Sequence, residues 1–202
     1  MTFMKTFTFL LLFLSSSVVL AQEKNSFLKS IKFTALGIGE IGFQWDPLDD
    51  DDDKWHNLPP DQRREEDRPH GFVSYGLDLQ LNYMIDGASF VGLGYQHQQF
   101  VEQDILGPMN TYYLHFRTGD DFDSKYCLFV ELDLGGCFMQ NYFEGIMYRA
   151  TVGVDFNGLN IPQVTPTVNL YIGQRVLNNI STRKKTGGFY TMFGASIGMR
   201  IH

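Results

Sequence analysis

Ten charged residues in this chain stand where polar side chains alternate with apolar neighbours: Lys32, Glu40, Asp78, Arg117, Glu131, Asp133, Arg149, Asp155, Arg175 and Arg200, five of each sign. On one shared face they form a network of ion pairs, because an unpaired charge removed from water is costly. His115, Arg117, Glu131 and Asp133 could also line a narrow proton or ion path. A second set is consecutive. Asp49, Asp50, Asp51, Asp52 and Asp53 run unbroken into Lys54, Trp55 and His56, ahead of Arg63-Arg64-Glu65-Glu66-Asp67-Arg68. Carboxylate oxygens suit calcium or magnesium, so this stretch is a candidate for binding a divalent cation or a protein partner, with Trp55 as an anchor. Its spacing is not that of an EF-hand, and the plainer reading is a solvated, charged loop. A third candidate is His97, in Gly94-Tyr-Gln-His-Gln-Gln-Phe100 ahead of Pro108-Met-Asn110. It could serve as a general base, but Gln99 offers no hydroxyl and no nucleophile is evident for it to activate.

The elements that must position these residues are strands. From Val73 to Ile85 the odd positions are all apolar or aromatic, and the even ones are nearly all polar or small. Side chains on a strand alternate between two faces, so one face here suits hydrocarbon and the other water. The same alternation runs over Ile31 to Trp45, Ser89 to Val101, Thr111 to Arg117, Tyr126 to Gly135, Ile146 to Phe156, Val168 to Arg175 and Phe189 to Ile201. Asp86-Gly87, Gly119 to Ser124 and Asn157-Gly158 read as turns. Asp46 to His70, the stretch through Gly107-Pro108, Cys137 to Glu144 and Leu177 to Gly187 read as loops. Connections after the odd strands are thus expected to be the longer ones, the arrangement of a transmembrane barrel with both termini at the short-turn end.

Lys5 followed by the apolar run Phe7 to Leu14 and Val19-Leu20-Ala21 has the form of a secretion signal cleaved before Gln22. Residues 1–21 are therefore expected to be removed and 22–202 to form the barrel. The run is too short for a comfortable membrane helix, and no later segment offers roughly 20 consecutive apolar residues. The formal charge of −7, with no basic tract, argues against nucleic acid as a partner. No cofactor motif is present. Cys127 and Cys137 on one extended strand would lie on the order of 30 Å apart, far beyond the roughly 7 Å a disulfide allows.

Alternation alone does not say which face is inside. A lipocalin-like soluble barrel would also have eight strands, but its pocket is apolar. The balanced charges fit a packed lumen better, since side chains fill the interior of an eight-stranded barrel. Trp45, Tyr75, Tyr112, Tyr148 and Phe189 would then mark one rim and Phe33, Tyr83, Phe116, Tyr126 and Phe156 the other, as two membrane interfaces favour.

Asn110-Thr-Tyr-Tyr-Leu-His-Phe-Arg117, Phe129-Val-Glu-Leu-Asp-Leu-Gly135 and the segment from Gly187 to Ile201 resemble small outer-membrane barrels of Gram-negative bacteria, of the OmpA-like, Bacteroidetes type. The resemblance implies an all-β, eight-stranded antiparallel up-and-down barrel in the outer membrane, in contact with lipid and lipopolysaccharide. It also implies a terminal aromatic residue, where this chain has Ile201-His202. His97 resembles the histidine of lipid-deacylating barrels, in which a serine stands two residues on. The expected role is therefore structural or surface binding through extracellular loops, with acyl modification of lipid A or phospholipid as the alternative.

Overall fold

The computed structural model describes residues 30–45, 71–101, 108–121, 124–140, 142–159, 161–177 and 188–201. Eight strands follow one another along the chain: β1 (Ile31–Trp45), β2 (Gly71–Met84), β3 (Phe90–Phe100), β4 (Met109–Gly119), β5 (Cys127–Met139), β6 (Tyr142–Asp155), β7 (Val164–Leu177) and β8 (Gly188–Ile201). Each pairs antiparallel with the next, and β8 returns to β1 to close the barrel. Closure removes the unpaired strand edges that an open sheet would expose. Two-residue periodicity then divides every strand between lumen and exterior.

Leu93, Leu114, Leu132, Leu170 and Ile197 point outward and are 60 to 68% exposed. Glu40, Asp78, Arg117, Asp133, Arg149, Asp155, Arg175 and Arg200 point inward and are at most 5% exposed. This inverts the soluble arrangement. A lipocalin-like barrel would place the aliphatic set inside, so that alternative does not fit. No helix among the described residues is long and apolar enough to cross a membrane, which says nothing of strands.

Both described chain ends lie at the end of the barrel we term lower, with the turn after β2, the residues after β4 and a 3-10 turn at Asn157–Leu159. In the first of these turns the Asp86 carboxylate accepts from the backbone N–H groups of Ala88 and Ser89 at 2.8 and 2.7 Å. These two bonds hold it below the usual carboxylate range.

The connection between β5 and β6 differs from the expected loop over Cys137 to Glu144. β5 continues to Met139, β6 begins at Tyr142, and only Gln140 and Asn141 separate them. The cause is a bulge. Cys137 pairs with Gly145 but Phe138 pairs with Phe143, leaving Glu144 as the extra residue. The bulge shifts the alternation by one and breaks the pattern that marks a strand. The expectation of longer connections after odd strands therefore fails here. Cys127 and Cys137 lie at opposite ends of the inward face of β5, and both thiols are free.

Candidate functional site

The ion pairs of the lumen fall into three tiers. In the upper tier Arg175 donates from Nη1 to Glu40 Oε1 at 2.6 Å and from Nη2 to Glu40 Oε2 at 3.2 Å. Tyr171 and Ser74 donate to the same carboxylate, each at 3.3 Å. Gln98 joins by donating to Ser74 at 3.2 Å and accepting from Arg175. A fork-shaped guanidinium matches a carboxylate in this way, and the hydroxyls occupy lone pairs that burial would leave unmet.

The middle tier centres on Arg149, which donates from Nε to Asp133 at 2.7 Å and from Nη2 to Asp78 at 2.9 Å. Tyr113 donates to the other Asp78 oxygen. His115 Nδ1 lies 3.0 Å from Asp133 Oδ1 and 3.3 Å from Glu131 Oε1, and Gln80 donates to Glu131 at 3.0 Å. His115, Glu131 and Asp133 thus bring one nitrogen and two carboxylate oxygens within 4.8 Å of one another. In the lower tier Asp155 pairs with Arg117 at 2.5 Å and also with Arg200. The Arg117 guanidinium stacks 3.4 Å from the centre of the Phe129 ring.

Small residues make this packing possible. A Cβ on Gly94 would stand 2.0 Å from the Tyr113 ring, and one on Gly194 would stand 2.1 Å from Tyr171. These two glycines leave the space through which the phenols reach Asp78 and Glu40.

Of the ten charges singled out in the sequence, nine meet in these tiers. Lys32 shares their inward parity but lies half-buried at the lower mouth and joins none of the ion pairs among the described residues. Asp49 to Asp53, Trp55 and His56 lie outside the described residues, as do residues 1–21 and most of the loop from Leu177 to Gly187.

Two features of the lumen go beyond the sequence reading. Above the upper tier the lumen is apolar, not charged. Phe72, Phe100, Met109, Met139, Leu177, Tyr190 and Met192 close it as a cluster no more than 7% exposed. A signal exists for this one, because Phe72, Phe100, Met109 and Met139 hold the inward parity of their strands. Glu144 has no such signal. Its bulge turns it inward, where it is fully buried and neither carboxylate oxygen has a hydrogen-bond partner among the described residues.

His97 faces outward. Its Nδ1 lies 2.8 Å from Asn110 Oδ1, which also accepts from the Tyr95 hydroxyl at 2.8 Å. Among the described residues no serine, threonine or cysteine bonds to it. A second outward polar row joins Tyr148, Gln174 and Thr191 on β6, β7 and β8. Nearby Tyr95, Tyr112, Phe138 and Phe143 form a chain of ring contacts 5.2 to 5.6 Å between centres. At the lower end Tyr126 packs edge-on against Phe156. Phe33, Phe156 and Phe189 are half-buried, and the Trp45 side chain lies outside the description.

No protein-family model and no curated protein matches the chain. Among solved structures, the crystal structure of Neisserial surface protein A superposes with a TM-score of 0.52 at 10% identity, over 84% of this chain and 96% of that one. The outer membrane protein OprG from Pseudomonas aeruginosa gives 0.44 at 10% identity, over 85% and 95%. The first likeness shows a shared fold. It carries no residue or activity across.

Proposed function

We propose that this chain is an outer-membrane barrel of a Gram-negative bacterium with a closed, charge-packed lumen, acting structurally or as a surface-binding protein through its extracellular loops. One observation carries the reading: aliphatic side chains cover the exterior while the charges lie inside. Exposed aliphatic surface on this scale is unfavourable in water and neutral in hydrocarbon. The outward rows around His97 and Gln174 lie toward the upper end, where polar headgroups would accept them. The same end carries the connection with Asp49 to Asp53, Trp55 and His56, the candidate contact for lipopolysaccharide, a divalent cation or an extracellular protein. Loops on a rigid scaffold commonly carry such recognition.

Density separation of membranes from a Gram-negative host tests residence. The protein is expected in the outer membrane, resistant to urea extraction and migrating differently before and after boiling. Recovery in the soluble periplasm overturns the proposal. Changing Asp49 to Asp53 into Asn should weaken surface binding with assembly intact. The reading also expects the acyl composition of lipid A and phospholipid to be the same with and without the protein. A change abolished by His97→Ala would replace it with lipid modification.

A further inference from the structure

We propose that His115, Glu131 and Asp133 hold a divalent transition-metal ion inside the lumen, joining β4 to β5, with Thr151 of β6 as an additional oxygen ligand. Four observations converge on it. The first is spacing. Nδ1 of His115 stands 3.0 Å and 3.3 Å from its two carboxylate oxygens. Ligand atoms about 2.1 Å from one metal ion are separated by ~3.0 Å on an octahedral edge and ~3.4 Å on a tetrahedral one. The second is charge. Asp78 and Asp133 share the Arg149 guanidinium, whereas Glu131 has no arginine ion pair among the described residues, because its cross-strand neighbour Arg117 is turned to Asp155. A cation beside His115 would meet the Glu131 charge at contact distance.

The third observation is independent of the cluster. Thr151, 4% exposed, sits directly across from Glu131 in the β5–β6 register and on the same inward face, and its hydroxyl has no hydrogen-bond partner among the described residues. The fourth concerns the far side of the imidazole. Binding metal through Nδ1 places the ring hydrogen on Nε2, which has no partner among the described residues. Gly92 is the cross-strand neighbour of His115, and Asn82 Oδ1 lies 2.5 Å from where a Cβ at 92 would stand. That oxygen is also buried without a donor among the described residues, so it is an open acceptor on this side of the ring and is not bonded to Nε2 as the structure stands. A metal-bound histidine normally gives its second ring hydrogen to such an acceptor. One imidazole with carboxylate and hydroxyl oxygens suits zinc or manganese better than calcium or copper(I).

The apolar cluster above and the Arg117–Asp155–Arg200 group below restrict entry, so the ion is acquired during folding and exchanges slowly afterwards. The full chain is refolded into lipid vesicles with Zn²⁺, Mn²⁺, Ca²⁺ or no added metal, desalted against chelator and measured for metal content. About one Zn²⁺ or Mn²⁺ per folded chain, with a raised urea midpoint relative to the metal-free preparation, is the expected result. His115→Gln and Glu131→Gln should lose the ion while keeping the barrel's heat-dependent migration, and Thr151→Val should retain it more weakly. Substoichiometric metal in the wild type under every condition overturns the proposal in favour of a protonated His115 bridging the carboxylates. Unchanged stoichiometry in His115→Gln overturns it equally. Should both Gln variants fail to fold, Co²⁺ in the wild type decides. A visible ligand-field band from nitrogen and oxygen ligands supports the site, and a spectrum like free Co²⁺ sinks it.

Discussion

At the upper end of the lumen Phe72, Phe100, Met109, Met139 and Met192 exclude water by packing, whereas below them Glu40, Asp78, Asp133, Arg149 and Arg175 fill the same cross-section with ion pairs. The two regions solve one problem by different physics. Methionine and aromatic side chains adapt to an irregular space and need no partner. Buried charges need a partner at each lone pair and hydrogen, which makes their positions interdependent. The upper region is therefore expected to tolerate exchange among apolar residues of similar volume. The tiers below are expected to fail when one member is lost.

The sharpest way to break this contrast is Arg149→Met. It strands Asp78 and Asp133 without their shared cation, and the expected loss is about 3–5 kcal/mol in urea unfolding from vesicles. A loss below about 1 kcal/mol would show water screening these carboxylates. Phe72→Ala in the upper cluster should follow at about 3 kcal/mol. It should leave planar-bilayer conductance at background, because the ion-paired tiers still close the lumen. A measurable channel in this variant would make the apolar cluster the sole seal.

Moving outward, Leu132→Arg at mid-height on the exterior of β5 should cost about 2 kcal/mol in vesicles. A change near zero would mean that this face meets water. The smallest effect belongs to Asp86 in the lower turn. Its depressed folded value contributes stability above its unfolded value, near 3.9, and that contribution is lost as pH falls through the folded value. Asp86→Ala should flatten the acid dependence of the unfolding rate below about pH 4. An unaltered profile would assign the acid response to the lumen instead.

Particular residues show what is legible in the sequence. Val73 to Ile85 announces its two faces without ambiguity, because a strand's period of two is written directly in residue type. Arg117, Glu131, Asp133, Arg149 and Asp155 fall on the inward face by the same alternation, and all five are buried in the lumen. Cys137 to Glu144 reads as a loop because the bulge at Glu144 shifts the phase of its own strand. The upper apolar cluster is legible residue by residue, in the inward parity of Phe72, Phe100, Met109 and Met139, but not as a cluster. Its inward aromatics and methionines belong to separate strands and form a group only when the barrel closes.

The sequence by itself determined the number of strands, their succession along the chain and, away from the bulge at Glu144, which side chains share a face, since all three depend on local alternation and turn chemistry. Only the tertiary structure decided the pairings. Arg175 meets Glu40 across 135 residues and Arg149 meets Asp78 across 71, distances in sequence that no local pattern spans. Closure of β8 onto β1 and the stagger between neighbouring strands set the height of each side chain in the lumen. Those heights choose the guanidinium that meets Glu40, Asp78, Asp133 or Asp155, and bring His115, Glu131 and Asp133 together with Thr151 across from Glu131.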